Sequence, residues 1–129
     1  MQPTDACPCG SGNAFGHCCL ALHRGEHQAA TAEQLMRARY SAYAVGNLDY
    51  VWQTWHPRTR PATLTPDGRL TWTGLQVLDT VGGQAQDQSG EVEFRAHYRS
   101  EDRTGSLHER SRFSVRARRW FYVDGDLVD

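Results

Sequence analysis

The sequence predicts an α+β fold in which helices pack on a curved antiparallel sheet, preceded by a small cysteine-rich segment. Residues 31–56 carry apolar side chains at helical spacing, and residues from 69 onward alternate with a period of two. Helices followed by a run of strands is the order typical of α+β domains. All four cysteines lie between positions 7 and 19. We therefore divide the chain into an N-terminal knuckle, residues 1-25, and a domain, residues 26-129.

Composition limits the class of protein. The chain has 129 residues, 39% of them hydrophobic, and a formal net charge of −1, which suits one modest core. It has no apolar run of about eighteen residues and no leader with a basic start and an apolar centre, so we expect a cytoplasmic protein. The net charge does not favour nucleic-acid binding, although arginines crowd positions 110–119.

The cysteines predict a metal site. Eight residues, three of them glycine, separate the pair Cys7 and Cys9 from the pair Cys18 and Cys19, so the loop between the pairs can reverse. Four thiolates that converge in this way suit tetrahedral Zn²⁺, with bonds of about 2.3 Å. We predict one structural zinc ion. Iron suits the same sulfurs, and His17 or His23 could replace one thiolate.

Disulfides and a redox dithiol fit the cysteines less well. The C-x-C pair and the adjacent Cys18-Cys19 pair are each awkward to bridge internally. Disulfides are also rare in the reducing cytoplasm. A redox-active dithiol usually has the spacing C-x-x-C beside a βαβ unit, which is missing here.

Two helices are predicted before the sheet. Thr31 and Gln34 form a capping box that begins the first helix, which should run to about Val45 and stop at Gly46. The second should cover residues 48–56, capped by Asn47 or Asp49 and followed by a proline. His56, at its end, is more typical of a hydrogen-bonded structural histidine than of a catalytic base.

The strands follow from alternation. Residues 70–81 alternate with a change of phase that predicts a bulge at Gly74, and residues 92–98 form the clearest strand. A turn is expected at 102–105, then a strand from Leu107 to Ala117, and a last strand over 120–123 that a turn at 124–125 closes.

Glu109 is an anomaly in the third of these strands. Its parity places it on the inner face with Leu107 and Phe113, and an unpaired buried carboxylate is costly. Arg39, which falls on the apolar face of the first helix, is the natural partner, although its stem could instead cover the core while its head reaches water. We predict a direct Arg39–Glu109 pair at the mouth of a pocket. The candidate pocket residues are Arg39, Tyr40, Tyr43, Trp55, His56, Trp72 and Glu109.

Two resemblances extend these predictions. The run Cys7-Pro8-Cys9-Gly10-Ser11-Gly12 with the closing Cys18-Cys19 resembles the SEC-C motif, a zinc-binding module also found at the C-terminus of the SecA ATPase. The segments 35–43, 54–57 and 107–113 resemble the bacterial YchJ-like family. The resemblance implies a zinc knuckle followed by a nuclear transport factor 2-like domain, a cystatin-like α+β cone with a pocket.

Three functions are considered. A closed four-thiolate site leaves no position for substrate, which favours a non-catalytic adaptor. The SecA resemblance implies docking to a SecB-like chaperone or to the ribosome. The first alternative is an isomerase-like or hydratase-like enzyme that uses the cone pocket, with Glu109 or His56 as the base. The second is RNA binding through the arginines near Trp120 and Phe121. Cones of this type often dimerise through the sheet, so a homodimer is also considered.

Overall fold

The structure is a computed structural model that describes residues 1–128. A short 3₁₀ turn, Phe15–His17, precedes three helices: α1, Cys19–His23; α2, Ala32–Val45; and α3, Leu48–Gln53. Four strands follow: β1, Leu70–Gly82; β2, Ser89–Ser100; β3, Arg103–Arg116; and β4, Arg119–Leu127. Each strand pairs with its neighbours in chain order, and all the pairs are antiparallel. The predicted α+β architecture is confirmed.

Helix α2 begins and ends as its sequence predicts. The Thr31 hydroxyl accepts a hydrogen bond from the backbone N–H of Gln34 at 3.1 Å, and the Gln34 side chain accepts one from the N–H of Ala30 at 2.7 Å. At the other end, Gly46 has a φ of 80°, a left-handed conformation that glycine adopts without strain. Leu35, Met36 and Tyr40 of this helix pack in the core with the strands, whereas Ala38 packs against the N-terminal cysteines.

Helix α3 ends at Gln53, three residues before the predicted end at His56. The reason is a competing strand-like contact. The Tyr122 N–H donates to the carbonyl of Thr54 at 2.9 Å, and the His56 N–H donates to the carbonyl of Tyr122 at 2.7 Å. Pairing with β4 thus pulls the segment out of the helix and sets the Trp55 ring 5.1 Å from the Tyr122 ring.

The sheet contains the predicted bulge and further irregularities. The β1–β2 register shifts between Trp72 and Gly74, which confirms the change of phase there, and it shifts again between Val77 and Asp79. The turn before β3 occupies residues 101–102 instead of 102–105, and β3 already begins at Arg103. Ala117 does not share the inner face of β3, because it lies in the next turn with a φ of 51°.

The last strand is longer than predicted. It continues to Leu127 instead of closing at 124–125, and Gly125 pairs with Ser111 in the ladder. Arg112 of β3 binds the carboxylates of Asp124 and Asp126 across the two strands. These ion pairs between β3 and β4 stabilise the end of β4 as a strand, although its Asp-Gly sequence by itself indicates a turn.

The core lies between α2 and the inner face of the sheet. Buried side chains from both layers fill it: Leu35, Met36, Tyr40, Val92, Phe94, Phe113 and Trp120. The indole N–H of Trp120 donates to the carbonyl of Ala30 at 3.2 Å, which ties β4 to the start of the helix. Within residues 1–128, none of the helices combines the length and apolar character needed to cross a bilayer.

Candidate functional site

The four cysteine sulfurs converge. All four Sγ atoms lie within 4.8 Å of one another, with Cys9 3.7 Å from Cys18 and Cys18 4.0 Å from Cys19. A tetrahedral zinc ion with bonds of about 2.3 Å requires sulfurs about 3.8 Å apart. None of the four is in a disulfide. The arrangement can hold a metal ion.

A short hairpin brings the two pairs of cysteines together. The Cys7 N–H donates to the carbonyl of Asn13 at 2.9 Å, and the Cys18 N–H donates to the carbonyl of Phe15 at 3.1 Å. Between them Gly10 and Gly12 have φ values of 80° and 88°, so these two positions need glycine. The loop therefore turns back and presents Cys7 and Cys9 to the start of α1.

The surroundings of the sulfurs favour a bound cation. Cys7, Cys9 and Cys19 are at most 5% exposed, and Cys18 is half-buried. Hydrogen bonds from the thiols of Cys19 and Cys9 lower the pKa of Cys7, whereas hydrogen bonds with Cys7 and Cys9, together with burial, raise the pKa of Cys19. Four thiolates so close together repel one another, and a divalent cation removes that repulsion. The residues present thus fit a thiolate-bound metal.

The knuckle rests on helix α2. Arg37 donates to the carbonyl of Cys9 at 2.6 Å, and the Cys7 sulfur lies 3.6 Å from the Ser41 hydroxyl. His23 donates from Nε2 to the carbonyl of Ala38 at 2.8 Å. Its ring lies 4.6 Å from that of Tyr50, and burial lowers its pKa. The cysteine cluster is therefore held against the domain.

A cavity of about 340 Å³ lies between α2 and the inner face of the sheet. Six of the seven predicted pocket residues line it: Arg39, Tyr40, Tyr43, Trp55, Trp72 and Glu109. His56 does not. Its Nδ1 accepts from the N–H of Arg58 at 3.0 Å, and its ring packs 6.0 Å from Phe121. Desolvation and the nearby arginines lower its pKa. The prediction that His56 lines the pocket is wrong, because the segment after α3 turns its side chain to the other side of β4.

Arg39 points inward and is only 6% exposed. Its Nη1 donates to the carbonyl of Val51 at 2.7 Å and to the Thr54 hydroxyl at 2.8 Å. The guanidinium carbon lies 4.5 Å from the centre of the Tyr122 ring and 5.3 Å from that of Trp55. Such contacts stabilise a buried guanidinium without a carboxylate. The interpretation in which the head of Arg39 reaches water is wrong.

Glu109 faces the same cavity but has other partners. Its Oε2 accepts hydrogen bonds from the Ser111 hydroxyl and, at 3.3 Å, from the Tyr122 hydroxyl. Among residues 1–128, Arg39 and Glu109 form no direct ion pair, so that prediction is wrong in its detail. Tyr122 bridges them instead, since its face meets Arg39 and its hydroxyl meets Glu109.

Sequence reasoning did not assign Ser111 or Tyr122 to the cavity wall. Ser111 shares the parity of Glu109, which was a usable signal. Tyr122 could be placed only with the β3–β4 register, which shifts between Arg112 and Phe113. A strand whose phase changes at a bulge hides which of its side chains face inward.

The arginine-rich segment divides into two parts. Arg110 binds Asp79, Glu91 and Glu93, and Arg112 binds two aspartates of β4. These two arginines are neutralised. The others are Arg116, Arg118 and Arg119 at the β3–β4 turn, and no carboxylate within residues 1–128 forms an ion pair with them.

Comparisons with known proteins agree with this architecture. The family model described as "YchJ, middle NTF2-like domain" matches residues 31–125, and the SEC-C motif matches residues 4–21. A UPF0225 protein of Streptomyces coelicolor is 50% identical over 128 residues, covering 99% of this chain and 100% of its own length. A UPF0225 protein of Cupriavidus pinatubonensis is 48% identical over 128 residues, covering 95% of this chain and 88% of its own.

Two solved structures are similar throughout. The solution structure of a SEC-C motif containing protein from Rhodopseudomonas palustris has a TM-score of 0.85 at 34% identity, covering 97% of this chain and 100% of that one. The crystal structure of a SEC-C motif containing protein from Psychrobacter arcticus has a TM-score of 0.79 at 25% identity, covering 98% of this chain and 85% of that one. The chain therefore belongs to the YchJ-like UPF0225 family, in which a SEC-C motif precedes an NTF2-like domain.

Proposed function

We propose that this protein is a non-catalytic zinc-binding adaptor that docks on another macromolecule through its knuckle. The observation that carries the proposal is the convergence of four sulfurs within 4.8 Å. Four thiolates saturate a tetrahedral zinc ion, and no coordination position is left for a substrate. The ion would fix the shape of the knuckle, and its binding energy would contribute to folding.

The docking surface would be the part of the knuckle that the metal holds but the domain does not cover. Residues 10–13 and His17 are exposed, although their neighbours Cys9 and Cys19 are buried. A groove separates this loop from the first turn of α2, with Asn13 on one side and Glu33 on the other. Polar groups line this groove, and the bound metal would fix its shape. Such a groove suits a protein partner that binds only the zinc-loaded form.

The partner we propose is a component of protein export or translation, either a SecB-like chaperone or the ribosome. The support is the SEC-C motif, which matches residues 4–21 and resembles the tail of SecA. An enzyme in the cavity is the weaker candidate. With His56 outside it, Glu109 is the one predicted base left on its wall, and its Oε2 is already bonded to Ser111 and Tyr122.

The experiment uses the zinc-loaded full chain with purified SecB and with purified ribosomes, with binding measured by calorimetry and by co-sedimentation. We expect micromolar binding to one of them that a chelator abolishes and added zinc restores. His17→Glu should weaken this binding at least about tenfold, because it places a charge on the exposed knuckle. His27→Glu makes the same change at an exposed position outside it and should bind normally.

Two results would contradict the proposal. The first is an absence of binding to either partner at tens of micromolar zinc-loaded protein. The second is ribosome binding that survives chelation and falls steeply with added salt, which would instead assign the contact to the arginines of the β3–β4 turn. Zinc content measured on each variant separates a lost contact from a lost metal.

A further inference from the structure

The cavity under helix α2 is large enough for a small molecule. Its volume of about 340 Å³ lies at the lower end of the range of ligand sites, about 300 to 1,000 Å³. At about 30 Å³ for each water molecule, it would hold on the order of ten waters. Most of its wall is aromatic or aliphatic, including Tyr40, Trp72, Phe94 and Phe113. Water between such walls makes few hydrogen bonds and is readily displaced.

Three polar groups on this wall have unused hydrogen-bonding capacity. Oε1 of Glu109 accepts no hydrogen bond within residues 1–128, because both of its protein donors bind Oε2. Arg39 uses only Nη1 for its two protein acceptors. The indole N–H of Trp55 is buried and has no partner among the described residues. Buried polar groups are rarely left unpaired, so these groups point to a ligand that satisfies some of them.

The charges on the wall balance. Arg39 supplies one positive charge and Glu109 one negative charge, and the remaining wall residues are uncharged side chains. A charged ligand would bring an uncompensated charge into an apolar enclosure, which is costly. Tyr43 belongs to the wall and is 39% exposed, which places the opening of the cavity beside it.

We propose that this cavity binds a small uncharged molecule with a flat apolar body, which donates a hydrogen bond to Glu109 and packs between Tyr40, Trp72 and Tyr122. A phenol or a hydroxylated bicyclic aromatic compound has this chemistry. The site is separate from the knuckle, and its test does not depend on the docking function.

The test uses three probes with one ring system and different charges: 2-naphthol, 2-naphthoate and 2-naphthylmethylammonium. Binding is followed through the indole N–H signals of the nitrogen-15-labelled, zinc-loaded chain. Trp55 and Trp72 line the cavity, whereas Trp52 and Trp120 donate to carbonyls elsewhere. We expect 2-naphthol to shift the first two signals in a saturable way below about 1 mM and to leave the other two in place. The charged probes should bind at least about tenfold more weakly.

Two variants locate the probe. Glu109→Gln keeps the size of the side chain but removes the charge that strengthens the hydrogen bond, so 2-naphthol should bind about tenfold more weakly. Ala96→Leu adds bulk to the wall at a residue that is 2% exposed and should abolish saturable binding. Ala62→Leu makes the same change at an exposed residue and should leave binding unaltered. Thermal unfolding of each variant verifies that it is folded.

Several outcomes would overturn the proposal. No saturable shift of Trp55 or Trp72 up to 1 mM 2-naphthol would do so, and so would equal shifts of all four indole signals. Charged probes that bind as tightly as 2-naphthol would refute an uncharged ligand. Unchanged affinity in a folded Glu109→Gln variant would remove the hydrogen bond assigned to that residue, even if Ala96→Leu proved unstable.

Discussion

The guanidinium of Arg39 lies over the ring of Tyr122, with its carbon 4.5 Å from the ring centre. The hydroxyl of the same tyrosine donates to Glu109. One aromatic side chain thus separates two opposite charges on a single cavity wall. Burial lowers the pKa of Arg39, but the nearby tyrosines and Glu109 oppose that shift.

Replacing Arg39 should be costly to stability. Arg39→Ala leaves the carbonyl of Val51 and the hydroxyl of Thr54 without this donor and empties space beside Tyr122. We expect a loss of about 3 kcal/mol in the free energy of unfolding, measured by urea denaturation. Arg103→Ala, at an exposed position on β3, should change it by less than about 0.5 kcal/mol. Equal effects of the two changes would show that the inward contacts of Arg39 do not stabilise the fold.

A side chain at Gly125 should displace Glu109. A Cβ at this position would collide with the carboxylate of Glu109, whereas one at Gly68 would meet nothing within 4 Å. Gly125→Ala should therefore cost about 2 kcal/mol, because Glu109 must leave its contacts with Ser111 and Tyr122. Gly68→Ala is the matched control and should cost less than about 0.5 kcal/mol. A Gly125→Ala variant as stable as this control would contradict the placement of Glu109.

Much of the fold could be predicted because local signals agreed with tertiary packing. The Thr31 cap, the stop at Gly46 and the alternation of residues 92–98 each have one consistent solution. The end of α3 and the length of β4 could not be predicted, because contacts between residues distant in sequence determine them. Trp55 pairs with Tyr122, and Arg112 binds Asp124. Tyr122 as the partner of Trp55, and Arg112 as the partner of Asp124, cannot be identified from the local sequence alone.

The candidate site shows the same division. The cysteine cluster could be predicted because its four sulfurs are close along the chain. The cavity residues on α2 and β3 followed from helical and strand periodicity. His56 was misplaced because the chain leaves the helical phase after Gln53. The contact between Arg39 and Tyr122 depended on the shift of the β3–β4 register. Periodicity predicts faces within an element but not which faces meet after a bulge.

Arg37 should support the metal site from helix α2. Its Nη1 donates to the carbonyl of Cys9 at 2.6 Å, and its Nε pairs with Glu33 at 3.0 Å. Arg37→Ala should weaken zinc binding about tenfold, as expected for a residue that orients a ligand-bearing loop. Competition with a chromophoric chelator measures the affinity. Arg24→Ala, at an exposed position just after α1, should bind zinc as the parent chain does. Identical affinities for the two variants would contradict this role.

His23 should make the fold sensitive to mild acid. Burial lowers the pKa of His23 below its ordinary value of about 6.5, so the folded chain binds a proton there less readily than the unfolded chain. The contribution of neutral His23 to the free energy of unfolding is complete above its ordinary pKa of about 6.5 and is lost as the pH falls below that value. The unfolding free energy should therefore decrease between pH 7 and pH 5.5.

Two variants isolate the effect of His23. His23→Phe keeps a ring between Phe15 and Tyr50 but cannot titrate, so it should show a smaller decrease than the parent chain. His27→Ala should show the same decrease as the parent. Zinc content is measured at each pH, since protonation of thiolates also releases the metal. An equal decrease in His23→Phe and the parent would assign the acid sensitivity to other groups.

X-ray absorption spectroscopy of the purified full chain, combined with metal analysis, would show whether the four cysteines hold one zinc ion. We expect one zinc ion per chain with a shell of four sulfurs at about 2.3 Å, supplied by Cys7, Cys9, Cys18 and Cys19. Cys9→Ser should lower the metal content well below one ion, whereas Ser106→Ala, at an exposed position on β3, should retain it. Protein that contains no stoichiometric metal, that contains iron, or whose zinc has fewer than four sulfur ligands would contradict a four-thiolate zinc site.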